Sequence, residues 1–149
     1  MVVSDRLLTA LGSYIEEQAA VGLRPVLRDW SGTKGKEQLV LDADEPEEHE
    51  GLNGVYAVDG VVAVMVHARD MDDEERREVL GAIDTALSLE GSDEGEIKVA
   101  EWCSDASEAR GIGSEVLKVF EFRHDAGAWE VDGKWLVGRI EWAAICCGG

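Results

Sequence analysis

Residues 61–89 read VVAVMVHARDMDDEERREVLGAIDTALSL, and this stretch determines how the rest of the chain is interpreted. Its first six residues are apolar without interruption, so a strand here presents apolar side chains on both of its faces. This pattern predicts a central strand that is covered on each side or lies at an interface.

The second half of the same stretch predicts an amphipathic helix. Asp72 supplies the N-cap, Glu75 occupies the capping-box position, and acidic residues fill the first turn, where the helix dipole favours them. Gly91 is the predicted terminator. Apolar residues recur at helical spacing and predict a buried face made of Val79, Leu80, Ile83, Ala86 and Leu87.

The N-terminal segment predicts a first helix that begins at Ser4 as its N-cap and ends near residues 20–22. Its apolar stripe is Leu7, Leu8, Leu11 and Ile15. Residues 24–30 and 37–41 predict two short strands joined by a turn at 31–36. The acidic residues 42–54 predict an exposed loop, long enough to point to a role or to disorder.

Two Asp-Gly pairs predict β-hairpins with type I′ turns. Asp59-Gly60 is expected to join strands at 55–58 and 61–69, and Asp132-Gly133 is expected to join strands at 128–131 and 134–146. Residues 97–103 and 116–123 predict further strands. The predicted fold is therefore α+β, a mostly antiparallel sheet with two helices packed on one face, in a single domain over residues 1–149.

The charge balance narrows the classes of partner. The chain has 14 basic and 32 acidic residues, a net charge of −18 at pH 7. Such a field repels phosphates and anionic lipid, so we expect no specific nucleic-acid binding and no membrane docking. The apolar run at 61–66 is far shorter than the ~20 residues of a membrane span. The absence of a secretory signal and the odd number of cysteines favour a reducing cytoplasm.

No motif in the sequence predicts catalysis, a cofactor or a metal, and we therefore expect a protein that is not an enzyme. The acidic residues 42–50 lack the turn glycine of a calcium loop. The glycine-rich segments at 31–36 and 110–114 lack the Gly-Lys-Ser/Thr ending of a phosphate loop. The residues with zinc-binding atoms do not have zinc-ligand spacing; these are His67, Cys103, His124, Cys146 and Cys147.

The residues that we single out as interface candidates are two tryptophans and two lysines. Trp135 and Trp142 lie on opposite faces of one predicted strand, so one fits core packing and the other an interface, where tryptophan is enriched; packing of both in the core stays an alternative. Lys34 and Lys36 form the only close lysine pair, and they are candidate contacts for an acidic partner.

The order of the predicted elements resembles that of the tail terminator proteins of tailed bacteriophages. The segment at 61–89 carries most of the likeness: an apolar strand ending Val-His-Ala-Arg-Asp, a short acidic link and an amphipathic helix. The resemblance implies a virion protein, assembled in the host cytoplasm, that forms a homohexameric ring. It further implies that the ring caps the tail tube, stops tube polymerisation and joins the tube to the neck or connector protein.

Two residue-level features agree with that implication. An acidic lumen lets DNA pass without sticking, and a two-sided apolar strand suits a subunit that its neighbours cover. Two alternatives stay open at this point. The first is a neck or head-closure protein of the same kind of virion. The second is a cytoplasmic acidic protein that binds and inhibits a basic partner.

Overall fold

The computed structural model describes residues 3–19, 23, 25–28, 38–49, 54–67, 72–87, 99, 117–125 and 127–148. In these residues two helices accompany one sheet. The helices are α1 (Val3–Gln18) and α2 (Asp73–Leu87). The strands are β1 (Pro25–Leu27), β2 (Gln38–Ala43), β3 (Glu47–Glu48), β4 (Val55–His67), β5 (Leu117–His124), β6 (Ala128–Asp132) and β7 (Trp135–Gly148).

The sheet has seven strands within the described ranges, and its main path runs β1-β2-β4-β7-β5. The short strand β3 pairs with β4, and β6 pairs with β7 beside β5. The β1–β2 pair is parallel and the other pairs are antiparallel. The predicted α+β class with a mostly antiparallel sheet is confirmed.

Both helices pack on the same face of the sheet, as predicted. The apolar stripe of α1 and the buried residues of α2 belong to one core cluster with alternate residues of β2, β4 and β7. Alternation places one face of each of these strands against the helices. The fully buried side chains at this interface include Leu7, Leu11, Ile15, Ile83, Leu87, Leu39, Leu41 and Ile140.

The cap of α2 is confirmed and that of α1 is wrong. The Glu75 backbone N–H donates to Asp72 Oδ1 at 2.8 Å, which is the predicted N-cap bond. By contrast, α1 already includes Val3, so Ser4 lies inside its first turn. The Ser4 side chain is buried, and its Oγ accepts a hydrogen bond from Arg28 Nη2 at 3.1 Å. A tertiary contact therefore takes the place of the predicted cap.

The predicted hairpin at Asp59-Gly60 is wrong, because Val55–His67 is one continuous strand. Gly60 lies in its middle, opposite Ala43 on one side and Trp142 on the other. A Cβ on Gly60 would come within 2.2 Å of Cζ2 of Trp142 and 2.5 Å of the Asp42 carbonyl oxygen. Glycine is present here to make room for an indole ring, and the dipeptide forms no turn.

The acidic segment is also more ordered than predicted. Asp42 and Ala43 complete β2, and Glu47–Glu48 pairs with Ala57 and Tyr56 of β4. The long strand β4 offers backbone partners to both segments, and this interrupts the loop expected at 42–54. Of the predicted strand at 97–103, the one described residue is Val99, which is helical and buried in the core. Short apolar runs do not by themselves distinguish a helix from a strand.

The second hairpin is confirmed, but its turn lies one residue further along the chain. Asp132 pairs with Trp135, so the two turn residues are Gly133 and Lys134. Gly133 has a φ of 61°. Lys134 does not have a positive φ, because Arg28 is the one non-glycine residue with positive φ among the described residues. A glycine with positive φ at the first turn position is the requirement of a type II′ turn, where we predicted type I′.

The remaining strand predictions at 24–30, 37–41, 116–123, 128–131 and 134–146 correspond to β1, β2, β5, β6 and β7. The first of them is confirmed only for residues 25–27, because the backbone leaves the strand at Arg28. Residues 24, 29, 30, 37 and 116 lie outside the described residues. The predicted end of the first helix at 20–22, the turn at 31–36 and the terminator Gly91 lie outside the described residues.

Candidate functional site

The two faces of the sheet differ in what covers them. Val62, Val64 and Val66 of β4 belong to the core under the helices, whereas Ala63 and Met65 lie on the opposite face in a second buried cluster with Val40 and Val137. The prediction that the strand at 61–66 is covered on both faces is therefore confirmed. The face of the sheet opposite the helices is called the open face below, after the groove at its Asp42 end; around Ala63 and Met65 the same face is buried.

An open groove of about 520 Å³ lies on the open face, and residues of β2, β4, β5 and β7 line it. Its position follows from the register: Asp42 of β2 is opposite Val61 of β4, which is opposite Glu141 of β7. Two residues further along β7, Ala143 is opposite Arg123 near the end of β5. Neighbouring positions on four strands therefore line the groove together.

Acidic side chains outnumber basic ones in the lining of the groove. Two arginines, Arg123 and Arg139, are in its wall. Arg139 Nε lies 3.7 Å from Glu130 Oε2, so part of its charge is directed towards β6. The carboxylates that line the groove are Asp42, Asp44, Asp59, Asp125 and Glu141. Five acids against two arginines give the groove the same sign as the whole chain.

The carboxylates of this groove can contact a cationic group. Among its described lining residues there is no serine, threonine, cysteine or tyrosine that could act as a nucleophile. Asp59 and Glu141 are exposed, so water solvates their carboxylates. Within the described ranges, no group of three or more His, Cys, Asp and Glu side chains is arranged to hold a metal ion.

The structure separates the two tryptophans that we singled out. Trp142 is 3 % exposed, and it stacks on Phe122 with ring centroids 5.8 Å apart. Trp135 is half-buried on the open face, and its ring meets that of His67 edge-on at 5.6 Å. The two lie seven residues apart on one strand, about 23 Å at ~3.3 Å per residue. Trp142 is a core residue, and the interface prediction narrows to Trp135.

The other residues that we singled out are not brought together. Lys34 and Lys36 lie outside the described residues. His67 is on the open face, whereas the His124 ring turns towards the helices, with Nε2 3.1 Å from Asp84 Oδ1. Cys146 faces the core and its neighbour Cys147 is half-buried on the open face, since adjacent residues of a strand point to opposite faces. Burial, with a smaller effect of Cys147, raises the pKa of Cys146 to about 11, so its thiol is a poor nucleophile at neutral pH.

The sequence did not predict one feature of the outer strand β5. The register with β7 shifts between Val119 and Glu121, so Phe120 is the extra residue of a β-bulge. Its side chain is 60 % exposed, whereas Val119 and Phe122 are buried. The bulge is formed by pairing with β7, and the sequence of β5 alone has no signal for it.

Comparison with protein-family profiles finds no match, and comparison with curated proteins finds none either. Along the described part of the chain, neither helix is long and apolar enough to cross a bilayer.

Proposed function

We propose that this protein is a structural component of a tailed-phage virion, one that forms a ring, caps the tail tube and joins it to the neck. The observation that carries the proposal is the order of the elements. A helix comes first, then strands that lead into the long apolar β4, then α2, then closing strands, with both helices on one face of the sheet. This is the order expected from the resemblance to tail terminators.

The charge of the subunit supports a role around DNA without binding to it. Each copy carries −18, and the groove of the open face adds carboxylates in one place. A ring whose channel is lined by such a surface repels phosphates along its length, so DNA slides through without being held. In this proposal the ring is a homohexamer, and its axial partners are the tail tube protein and the neck or connector protein.

Trp135 is the proposed contact with an axial partner. It is half-buried beside His67, at the start of β7 and next to the tight turn at Gly133. A tryptophan that is already held in one orientation loses little entropy when a partner covers it, which is why such residues often dominate binding.

The test is electron microscopy of the purified protein, alone and mixed with purified tail tube protein of a tailed phage. We expect closed rings with a central channel, and tubes that carry one ring at an end and stop growing. The matched control is an unrelated acidic protein of similar size and charge, which separates capping from a general effect of charge. Failure to form rings, both alone and on tube ends, would count decisively against this function.

The acidic groove favours a second candidate from a different class, a protein that binds and blocks a basic partner. Five carboxylates on one open surface attract a cationic segment and accelerate its association. The same experiment separates the two candidates. A strict monomer at every concentration and salt, and in the presence of tube ends, would put the inhibitor first.

A further inference from the structure

We infer that the subunits of the ring join head to tail, with Phe120 of one copy inserted into a groove between α1 and β1 of the next copy. This inference rests on the proposed ring and names the surfaces that close it. Two surfaces on opposite edges of the sheet carry it. The first surface carries an exposed apolar side chain on a locally basic strand. The second is a groove with an acidic rim that is large enough to hold that side chain.

The projecting surface is the β-bulge of β5. Phe120 is one of three large apolar side chains that are exposed in the described chain, with Leu27 and Val131. At 60 % exposure it leaves most of a phenyl ring in water, although Phe122, two residues away, is 4 % exposed. A bulge re-aims a side chain and ends regular pairing at a sheet edge, and both effects make Phe120 available to a partner.

The receiving surface is an open groove of about 470 Å³ between α1 and β1. Gly12 keeps it open, since a Cβ at this position would lie 3.2 Å from Cβ of Pro25. Leu8, Gly12 and Pro25 give the groove an apolar floor, and Leu27, 39 % exposed, lies on its rim. The remaining lining residues are Thr9, Ser13, Glu16 and Glu17. A phenyl ring would cover apolar surface on Leu27 that is otherwise in contact with water.

Charge complementarity identifies a second copy of this chain as the occupant. The chain has a net charge of −18, yet β5 carries Lys118 and Arg123 against the single acid Glu121. All three side chains are exposed. The groove presents Glu16 and Glu17, which are also exposed. The locally basic strand therefore meets an acidic rim, and opposite charges steer and align the contact.

The placement of the two surfaces favours a head-to-tail contact over a twofold one. In the strand order β1 is at one end of the sheet and β5 is at the other. A contact between two different surfaces is heterologous, and it gives a closed ring when its rotation divides a full turn. A twofold dimer, by contrast, would use one surface of each copy twice.

The first test compares Phe120→Asp with Val131→Asp. Val131 is the matched control because it is even more exposed, at 77 %, and lies on β6 beside the same strand β7. We expect Phe120→Asp to raise the protein concentration needed for ring assembly at least about tenfold, which is the scale of a central aromatic contact. Val131→Asp should assemble like the wild type. Mass photometry gives the populations, and circular dichroism checks that each variant is folded.

The second test uses charge reversal and mixing, and it does not depend on Phe120. Lys118→Glu alone and the double variant Glu16→Lys/Glu17→Lys alone should both assemble poorly, because like charges then meet at the contact. In an equimolar mixture every contact of an alternating ring pairs opposite charges again. Rings should therefore return in the mixture, a result that a purely structural defect in either variant would not give.

The outcomes separate this contact from the proposed function. The contact is supported if the wild type forms rings, Phe120→Asp loses them, and the charge-reversed mixture restores them. Rings that persist in Phe120→Asp, or that do not return on mixing, overturn the contact and leave the ring itself standing. Absence of rings in the wild type, alone and on tube ends, overturns both.

Discussion

The indole of Trp142 occupies the space that a side chain on Gly60 would need. The two residues are paired across β4 and β7, and the ring atoms Cζ2 and Cε2 would lie 2.2 and 2.6 Å from a Cβ on Gly60. The main-chain oxygen of Asp42 closes the other side at 2.5 Å. Neither the buried ring nor the strand backbone can move freely, so the glycine is required by packing.

We therefore expect Gly60→Ala to destabilise the protein by roughly 1–3 kcal/mol, the usual cost of overpacking a core. Gly81→Ala is the matched control: Gly81 is exposed on α2, and no other group lies within 4 Å of the place that a Cβ would take. That change should stabilise by about 0.5–1 kcal/mol, because alanine favours a helix interior. Denaturant unfolding of both variants measures the difference, and equal effects would contradict this packing.

Arg28 is a second residue whose role depends on its neighbours. Its φ of 58° is in the left-handed region, which costs a non-glycine residue roughly 1–2 kcal/mol. Its guanidinium donates to the Ala43 carbonyl oxygen at 3.0 Å and to Ser4 Oγ at 3.1 Å, and it lies 3.2 Å from Asp5 Oδ1. These contacts tie the first turn of α1 to the end of β2 and offset the backbone cost.

At the scale of elements, the outer strands β5 and β6 show how pairing overrides alternation. In a regular strand Phe120 and Phe122 would share one face, since side chains alternate with a period of two. The bulge after Val119 instead leaves Val119 and Phe122 on the core side and moves Phe120 outward. The strand thus keeps its core contacts and gains an exposed aromatic side chain.

The β6–β7 hairpin gives a prediction at this scale. Gly133 has a φ of 61°, where a β-branched side chain is strongly disfavoured, and no atom crowds the position that its Cβ would take. Gly133→Val should therefore destabilise by roughly 1–3 kcal/mol through the backbone alone. Gly133→Asn is the matched control: asparagine adopts positive φ more readily than a β-branched residue and occurs in primed turns, so it should cost less. Thermal or denaturant unfolding decides, and a neutral valine variant would contradict the turn.

At the scale of the whole molecule, charge opposes assembly. Each copy carries −18, and the proposed ring of six would bring these charges within one particle. At ~0.15 M ionic strength the screening length is about 8 Å, so charges across a channel are largely hidden from one another, while charges at a subunit contact are not. Net repulsion between subunits must be offset by buried apolar surface or by salt.

We expect the protein to be monomeric or weakly associated at low ionic strength and to form closed rings more readily as salt rises. Light scattering after size exclusion, run over a series of salt concentrations, measures the change. Sodium chloride and potassium chloride at equal ionic strength should act alike, because the effect is screening and not specific ion binding. Rings that dissociate as salt rises would show that attraction between charges dominates the contact.

Features that depend on short-range pattern could be predicted from the amino-acid sequence. The amphipathic stripes of α1 and α2, the N-cap at Asp72 and the two-sided apolar strand at 61–66 follow from spacing and local hydrogen bonding, and the structure contains each of them. The likeness to tail terminators and the absence of catalysis stay predictions. From the site, the sequence identified Trp135, but not the groove around Asp42 and Glu141.

Other features depend on residues that are distant along the chain and compete for one space, and these required the folded structure. Asp59-Gly60 has the composition of a turn, yet Trp142, more than eighty residues later, requires glycine in a straight strand. Ser4 is a residue type typical of an N-cap, yet its hydroxyl oxygen accepts a hydrogen bond from Arg28. By alternation Phe120 would face the core together with Phe122, yet the register shift between β5 and β7 turns its side chain outward. Local propensity differs by about 1 kcal/mol or less between such alternatives, and a single packed ring or paired strand outweighs it.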